Sequence, residues 1–539
     1  SKDMLKISIN CKRGIKMIKF IDCKEAVLLL KNNDVVAVSG FAGLAVPESL
    51  LKTLEETYIE EGYPNNLTLM FAAAQGDGKS KGLNHLAHKG LVKRVIGGHF
   101  NLAPKLAEMM NNNIIEGYNL PQGVMCNIFR DISRKSGFTL SKVGLGTFVD
   151  PRIEGGKVNS MSKEKIVELF EFNGEEFLLY HHQNIDIALI KGSYCDENGN
   201  ISLDNEATYS EAFLIAQAVK NSGGIVIVQV DKVVSKNQMK CKSVKIPKIY
   251  VDYIVEVLDK DSKQQVLGME YNPFLTAEYE KNKKDFAFEE REENRKSQLK
   301  SAKSTLDARK IIGRRAAMEL SKGDIVNIGI GIPEEVSSIA YENGFSKMIT
   351  LTVEPGPIGG IPQSGKGFGA SLKAECILDQ ISQFDFYDGG GLDIAFLGMA
   401  ECDKMGNINV SKFGIRLAGC GGFINITQNT KKIIFCGTFT AKGLEIDIRH
   451  GKMFIENEGK NKKFKTKVQQ ITFSGEKAKK YGQEVIYITE RAVFRLKEDG
   501  IYLTEVAPGI DIEKDIINQM DFKPYIDVNF KVMDEKIFL

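Results

Sequence analysis

A single carboxylate stands at the tip of an apolar run in "ITLTVEPGPIGGIPQSGKGFG", residues 349–369. The β-branched stretch from Ile349 to Val353 ends at Glu354, and five of the next six residues are Gly or Pro. Three readings of Glu354 are open: a turn acid that meets solvent, part of a phosphate loop, or a reactive carboxylate. The solvent-facing acid is the ordinary reading. Against it stand the uncharged strand-like approach, the backbone-rich loop that follows, and a second glycine-rich turn, Gly419-Cys420-Gly421-Gly422, in the same half of the chain. Small residues let backbone N–H groups come close to a ligand, and N–H groups aimed at one point form an oxyanion hole. A carboxylate that attacks a carbonyl needs such donors beside it.

Other chemistries fit less well. Gly360-Ile-Pro-Gln-Ser-Gly365-Lys366-Gly367 nearly matches a P-loop, but Gly367 stands where a Ser or Thr hydroxyl must hold magnesium. The stretch GIGIP (329–333) lacks the third glycine of a dinucleotide fingerprint. His85 and His88 sit at helical spacing and His181 and His182 are adjacent, yet no third ligand follows at a diagnostic interval. A structural role is expected for them, and no metal site.

The elements that must position Glu354 belong to a chain of 539 residues, too long for one hydrophobic core and suited to two to four domains. Hydrophobic residues make up 43% and charged residues 26%, ordinary for a soluble globular protein. A net charge of +2 gives no field that would draw nucleic acid or acidic lipid. Nine cysteines, an odd number with no C-x-x-C pair, point to reduced thiols and a cytoplasmic protein. Apolar runs such as Ile225 to Val228 have strand length, so no membrane span is expected. Residues 1–16 lack a long apolar segment and read as a disordered extension ahead of Met17.

The chain also reads itself twice. DIALIKGSYCDENGNISL (186–203) and DIAFLGMAECDKMGNINV (393–410) align Asp186, Asp196, Gly199 and Asn200 with Asp393, Asp403, Gly406 and Asn407. Upstream, KNNDVVAVSGFAGLAVPESLL (31–51) resembles SKGDIVNIGIGIPEEVSSI (321–339): a helical segment, a buried strand, a glycine turn, then Pro-Glu opening a second helix. Short β-branched runs such as VVAVSG, NLTLMFA and GIVIVQV, then DIVNIGI, MITLTV and KKIIFCGTF, alternate with helical segments. The expected fold class is α/β: two homologous open domains with mainly parallel sheets, from an internal duplication. The expected division is 17–280 and 305–539, joined by a Lys- and Glu-rich linker at 281–304. Chemistry is expected in the cleft outside the carboxyl ends of the strands.

Six motifs in order, over about residues 17–520, resemble the class I, glutamate-dependent coenzyme A-transferases, nearest the acetate and propionate branch. They are VSGFAGLAVPESL (38–50), NLPQGVMCNIFRDI (119–132), VGLGTFVDPR (143–152), NIGIGIP (327–333), TVEPGPIGGIP (352–362) and LAGCGGFINIT (417–427). The resemblance implies Glu354 as nucleophile, with Gln122 and the Gly422 amide as catalytic partners. It further implies that Asn327, Gly329, Gly356, Asn409 and Gly421 contact substrate or coenzyme A. Coenzyme A would serve as substrate and covalent intermediate, with no tightly bound cofactor and no metal. Acyl-CoA and carboxylates would be the partners of a cytoplasmic homo-oligomer, dimer or tetramer, without nucleic acid or membrane. The succinyl-CoA:3-oxoacid branch resembles Glu-Asn-Gly at the nucleophile, and Glu354-Pro355-Gly356 departs from it. Alternatives are an acyl-CoA hydrolase, a 3-oxoacid transferase, and a non-enzymatic acyl-CoA-binding protein.

Overall fold

The computed structural model describes residues 18–259, 263–276 and 306–539. The extension at 1–16 and the linker at 281–304 lie outside these described residues.

Each predicted β-branched run forms a strand, and the strands gather into two large sheets. In the first sheet Tyr253–Glu256, Ile225–Val234, Ile187–Asp196, Val35–Val38, Leu67–Phe71, Val92–Gly97 and Glu116–Asn119 lie side by side, all parallel. In the second, Glu484–Ile488, Lys432–Cys436, Ile394–Gly398, Ile325–Ile328 and Thr350–Thr352 are parallel in the same spatial order. The interiors of these strands are buried, as parallel sheets covered on both faces require.

The residues shared by the two copies do the same work in each. Asp186 accepts the Val35 N–H at 2.8 Å, and Asp393 accepts the Ile325 N–H at 3.0 Å, so each ties off a strand start. Asp196 accepts the Asn198 and Asn200 N–H groups, both at 2.9 Å, while Asp403 accepts those of Met405 and Asn407 at 3.0 and 3.1 Å. The repeated Asp-x-x-Gly-Asn is therefore a side-chain-capped turn.

The halves diverge at one strand end. The first continues from Leu67–Phe71 into further parallel strands, whereas the second reverses after Thr350–Thr352 into Pro357–Ile358, which runs antiparallel beside it. Glu354 lies in that reversal. The Gly356 N–H donates to the Val353 carbonyl at 3.0 Å, and the Val353 N–H to the Pro357 carbonyl at 2.9 Å.

The largest apolar cluster draws on both halves, including Met125, Ile128 and Phe129 with Ile381, Phe384 and Ile424. Helix Gln122–Ser133 of the first half packs against Gln380–Asp388 and Phe423–Asn429 of the second. Gly123 makes this approach possible: a Cβ there would lie 2.4 Å from Asn425 Nδ2 and 2.9 Å from the Phe384 ring. Its N–H donates to Asn425 Oδ1 at 3.0 Å. A smaller cluster of loop residues, Phe41, Leu44, Val266, Leu275 and Ala370, joins the halves a second time.

His85 and His88 sit where packing and charge account for them. His85 Nε2 lies 2.9 Å from Glu48 Oε1 and its Nδ1 meets Glu55, whose other oxygen is 2.7 Å from His88 Nε2. Burial alone would lower the His85 pKa, but its bonds to Glu48 and Glu55 override that and raise it.

Candidate active site

A cavity of about 480 Å³ opens at the carboxyl ends of strands Ile325–Ile328, Thr350–Thr352 and Ile394–Gly398. It follows the seam between the halves. Glu354, Gln122, Gly421, Gly422 and Gly329 all line it, so five of the expected residues converge from positions up to 300 apart in the chain.

Glu354 reaches the cavity because its turn is held on both sides. Behind it, Gln383 Nε2 donates to the Val353 carbonyl at 3.2 Å, and the Tyr387 hydroxyl, 2.9 Å from Thr352 Oγ1, fixes the strand end. Among the described residues no cation pairs with the carboxylate, and burial pushes its pKa up to about 7. An acid with that surrounding is a poorly solvated anion and a correspondingly reactive one.

Gly422 packs directly against it. A Cβ on Gly422 would stand 2.8 Å from Glu354 Oε2 and 2.9 Å from its Cδ, so only glycine leaves the carboxylate room. The turn carrying Gly422 is stitched to the first half. Gly421 donates to the Gly98 carbonyl at 2.6 Å and accepts the Gln122 N–H at 3.0 Å, while the Cys420 N–H donates to Asn119 Oδ1 at 2.9 Å. Gln122 opens its helix immediately after Pro121, a residue tolerated at a helix start because the first N–H groups have no intrahelical acceptor. The Gln122 side chain is buried, and its Nε2 has no protein acceptor among the described residues. A buried, unpaired donor is costly in a resting fold and demands a reason.

Three expected contacts fall elsewhere. Asn327 does not line the cavity; its Nδ2 donates to the Tyr387 hydroxyl at 3.3 Å, one layer behind Glu354. Asn409 is fully buried and engaged, its Nδ2 donating to Glu401 at 2.8 Å and to the Lys412 carbonyl at 2.7 Å. Gly356 shapes the turn rather than the cavity wall, its carbonyl accepting the Leu378 N–H at 2.9 Å. The near-P-loop reaches the other half: Lys366 Nζ donates to the Gly268 carbonyl at 3.2 Å, and Phe368, which lines the cavity with Gly365, packs 5.6 Å from Phe41.

His99 and Glu334 also line the cavity and were absent from the sequence reading. His99 follows Gly97-Gly98 at the end of a parallel strand, a position that marks it once the strand is assigned. Burial, aided by Arg416, lowers its pKa to about 4, so it is neutral at physiological pH. Burial also raises the Glu334 pKa.

A duplicated α/β chain whose seam holds a desolvated carboxylate beside backbone and amide donors has the layout of a coenzyme A transferase. The Coenzyme A transferase sequence profile matches residues 20–257. The caffeate CoA-transferase of Acetobacterium woodii is 45% identical over 527 residues, spanning 97% of this chain and 98% of that protein. The acetate CoA-transferase YdiF of Escherichia coli K12 is 42% identical, spanning 97% and 95%. The apoenzyme structure of acyl-CoA transferase YdiF from E. coli O157:H7 superposes with a TM-score of 0.90 at 40% identity, covering 98% of this chain and 97% of that one. Its thioester complex with CoA superposes at 0.89 and 40% identity, covering 97% and 96%. The chain belongs to the coenzyme A transferase family and is a CoA-transferase. Among the described residues no helix is long and apolar enough to cross a membrane.

Proposed function

We propose that the protein moves coenzyme A from a short-chain acyl-CoA to a carboxylate such as acetate, by a ping-pong route through Glu354. The Glu354 carboxylate attacks the thioester carbonyl and expels CoA thiolate, leaving an acyl-glutamyl anhydride. The thiolate then attacks the glutamyl carbonyl, releasing the first carboxylate and leaving a glutamyl-CoA thioester. An acceptor carboxylate runs the sequence backwards and leaves as its CoA ester. Covalent catalysis divides one transfer into easier steps, and the thioester is conserved, so neither ATP nor metal takes part. Each tetrahedral species carries a negative oxygen for which the Gly422 N–H and Gln122 Nε2 are the donors.

The observation that carries this reading is the meeting of Glu354, Gly422 and the unpaired Gln122 amide in one cavity. Among the described residues neither lysine nor arginine lines that cavity, which favours acyl groups without a second charge over dicarboxylates. A larger apolar acid is the second reading. About 480 Å³ walled by Phe41, Leu102, Phe368, Leu397 and Phe423 exceeds what an acetyl group fills, and the caffeate relative is named for an aromatic acid.

The half-reaction tests the route. Incubation with acyl-CoA and no acceptor should add the mass of CoA to Glu354, removable by borohydride. A protein that turns over donor and acceptor yet stays unmodified with donor alone would defeat the covalent scheme. A panel of acetate, propionate, butyrate, succinate and cinnamate as acceptors separates the two readings of acyl size.

The rate should also follow pH in a defined direction. Burial holds the Glu354 pKa near 7, and only the carboxylate attacks, so kcat/KM should fall about tenfold per unit below pH 7 and level off above it. A free-enzyme profile that is flat from pH 5 to 8 would contradict this.

A further inference from the structure

Among the described residues, the turn bearing Glu354 has one hydrogen bond from a side chain of the other half. Thr208, in the segment leading into helix Ala212–Ser222, donates from Oγ1 to the Pro355 carbonyl at 2.5 Å. The same oxygen accepts the Ser210 N–H at 3.2 Å, so its proton is left to point at Pro355. Thr208 is 0% exposed, and its neighbours are pinned as firmly. Glu206 meets Lys191 at 2.5 Å with both side chains 0% exposed. The Ser210 carbonyl accepts the Gln380 N–H, at the start of the helix that also supports Val353. Ser210 itself holds φ +49°, a conformation that a non-glycine residue keeps only where its surroundings enforce it.

The carbonyls on either side of Glu354 therefore answer to different halves. Val353 is held by Gln383 of its own half, and Pro355 by Thr208 of the other. We infer that Thr208 is a positioning residue, through which the first half fixes the angle at which Glu354 presents its carboxylate to the thioester. Pro355 makes the arrangement one-sided: it has no N–H, so its carbonyl is the backbone group by which this residue can be held. The segment 206–210 then acts as a strut, anchored at Lys191 in the first sheet and ending one residue from the nucleophile.

This inference rests on Glu354 being the nucleophile, and the test keeps the two claims apart. Wild type, Thr208→Val, Thr208→Ala and Thr208→Ser are each mixed with acyl-CoA alone, and the rate of CoA-adduct formation is followed by mass spectrometry. Steady-state KM for acyl-CoA and Tm are measured beside it. A missing adduct in wild type refutes the covalent route itself. With the adduct present in wild type, Thr208→Val should form it about 10- to 100-fold more slowly, because displacement on the order of 1 Å has that effect. KM should change by less than about twofold, as the residue lies outside the cavity lining. Thr208→Ser restores the hydroxyl and should recover most of the rate. Adduct formation by Thr208→Val at the wild-type rate overturns the inference. So does a serine variant as slow as Thr208→Ala, and that comparison still decides if the valine variant fails to fold.

Discussion

Replacing Glu354 by glutamine is expected to reduce acyl transfer by about 1,000-fold or more, because an amide cannot form the anhydride. The same change should make the protein more stable at pH 8. The carboxyl has its pKa raised to about 7 in the fold, against an ordinary value of 4.5. A raised acid favours the fold fully below the unfolded pKa and loses that contribution as pH rises through the folded one. The loss therefore accumulates between about pH 4.5 and 7 and is complete at pH 8, where the neutral amide avoids it. Activity and Tm should move in opposite directions, as they do where a reactive group is kept at the expense of stability. Glu354→Asp keeps the charge but withdraws it on the order of 1 Å, and transfer should fall about 100-fold. Water can then reach the carbonyl beside donors that remain in place, so some acyl-CoA hydrolysis should persist. Transfer and free CoA release, assayed side by side, distinguish these results. Near-normal transfer by either variant would mean that Glu354 is not the nucleophile.

Removing the amide of Gln122 is expected to lower kcat by about 100- to 1,000-fold, the usual effect of deleting one preorganised oxyanion donor. The reasoning starts from its buried Nε2, which has no acceptor among the described residues of the resting protein. A donor aimed at an oxygen that exists only during reaction should help the transition state more than the bound substrate. Gln122→Ala should therefore lower kcat and kcat/KM together and leave KM nearly unchanged. The fold should survive, since the backbone bond from Gln122 N–H to the Gly421 carbonyl and the Gly123 contact with Asn425 are untouched. A variant with normal kcat and raised KM would instead make Gln122 a substrate-binding residue.

Much of the architecture is legible in the sequence because it is locally encoded. A parallel strand buried on both faces reads as a near-continuous apolar run, and the runs at 35–38, 67–71, 225–230, 325–328 and 432–436 are strands. The duplication is legible for the same reason: Asp196 and Asp403 act through residues two and four positions away, so each copy preserves its turn in consecutive letters. The Asn assignments show the limit. Asn327 and Asn409 lie in the right motifs, yet one bonds to Tyr387 and the other to Glu401 and Lys412. A motif does not state which way a side chain on a strand points once its neighbours pack.

The sequence by itself determined the kind of chemistry available: one acid after an apolar strand, ringed by small residues, in the second of two related halves. It could do so because strand, turn and glycine preference depend on a few neighbouring residues. Only the tertiary structure decided that Gln122 and Gly422 share a cavity with Glu354, that His99 and Glu334 join them, and that Thr208 donates to Pro355, in the turn of Glu354, from 147 residues away. Those relations are set by how closely the halves approach, which depends on the absence of a Cβ at Gly123 and on one continuous apolar cluster across the seam. Contacts at such separations are fixed by packing, and packing is a property of surfaces that come together only in the folded chain.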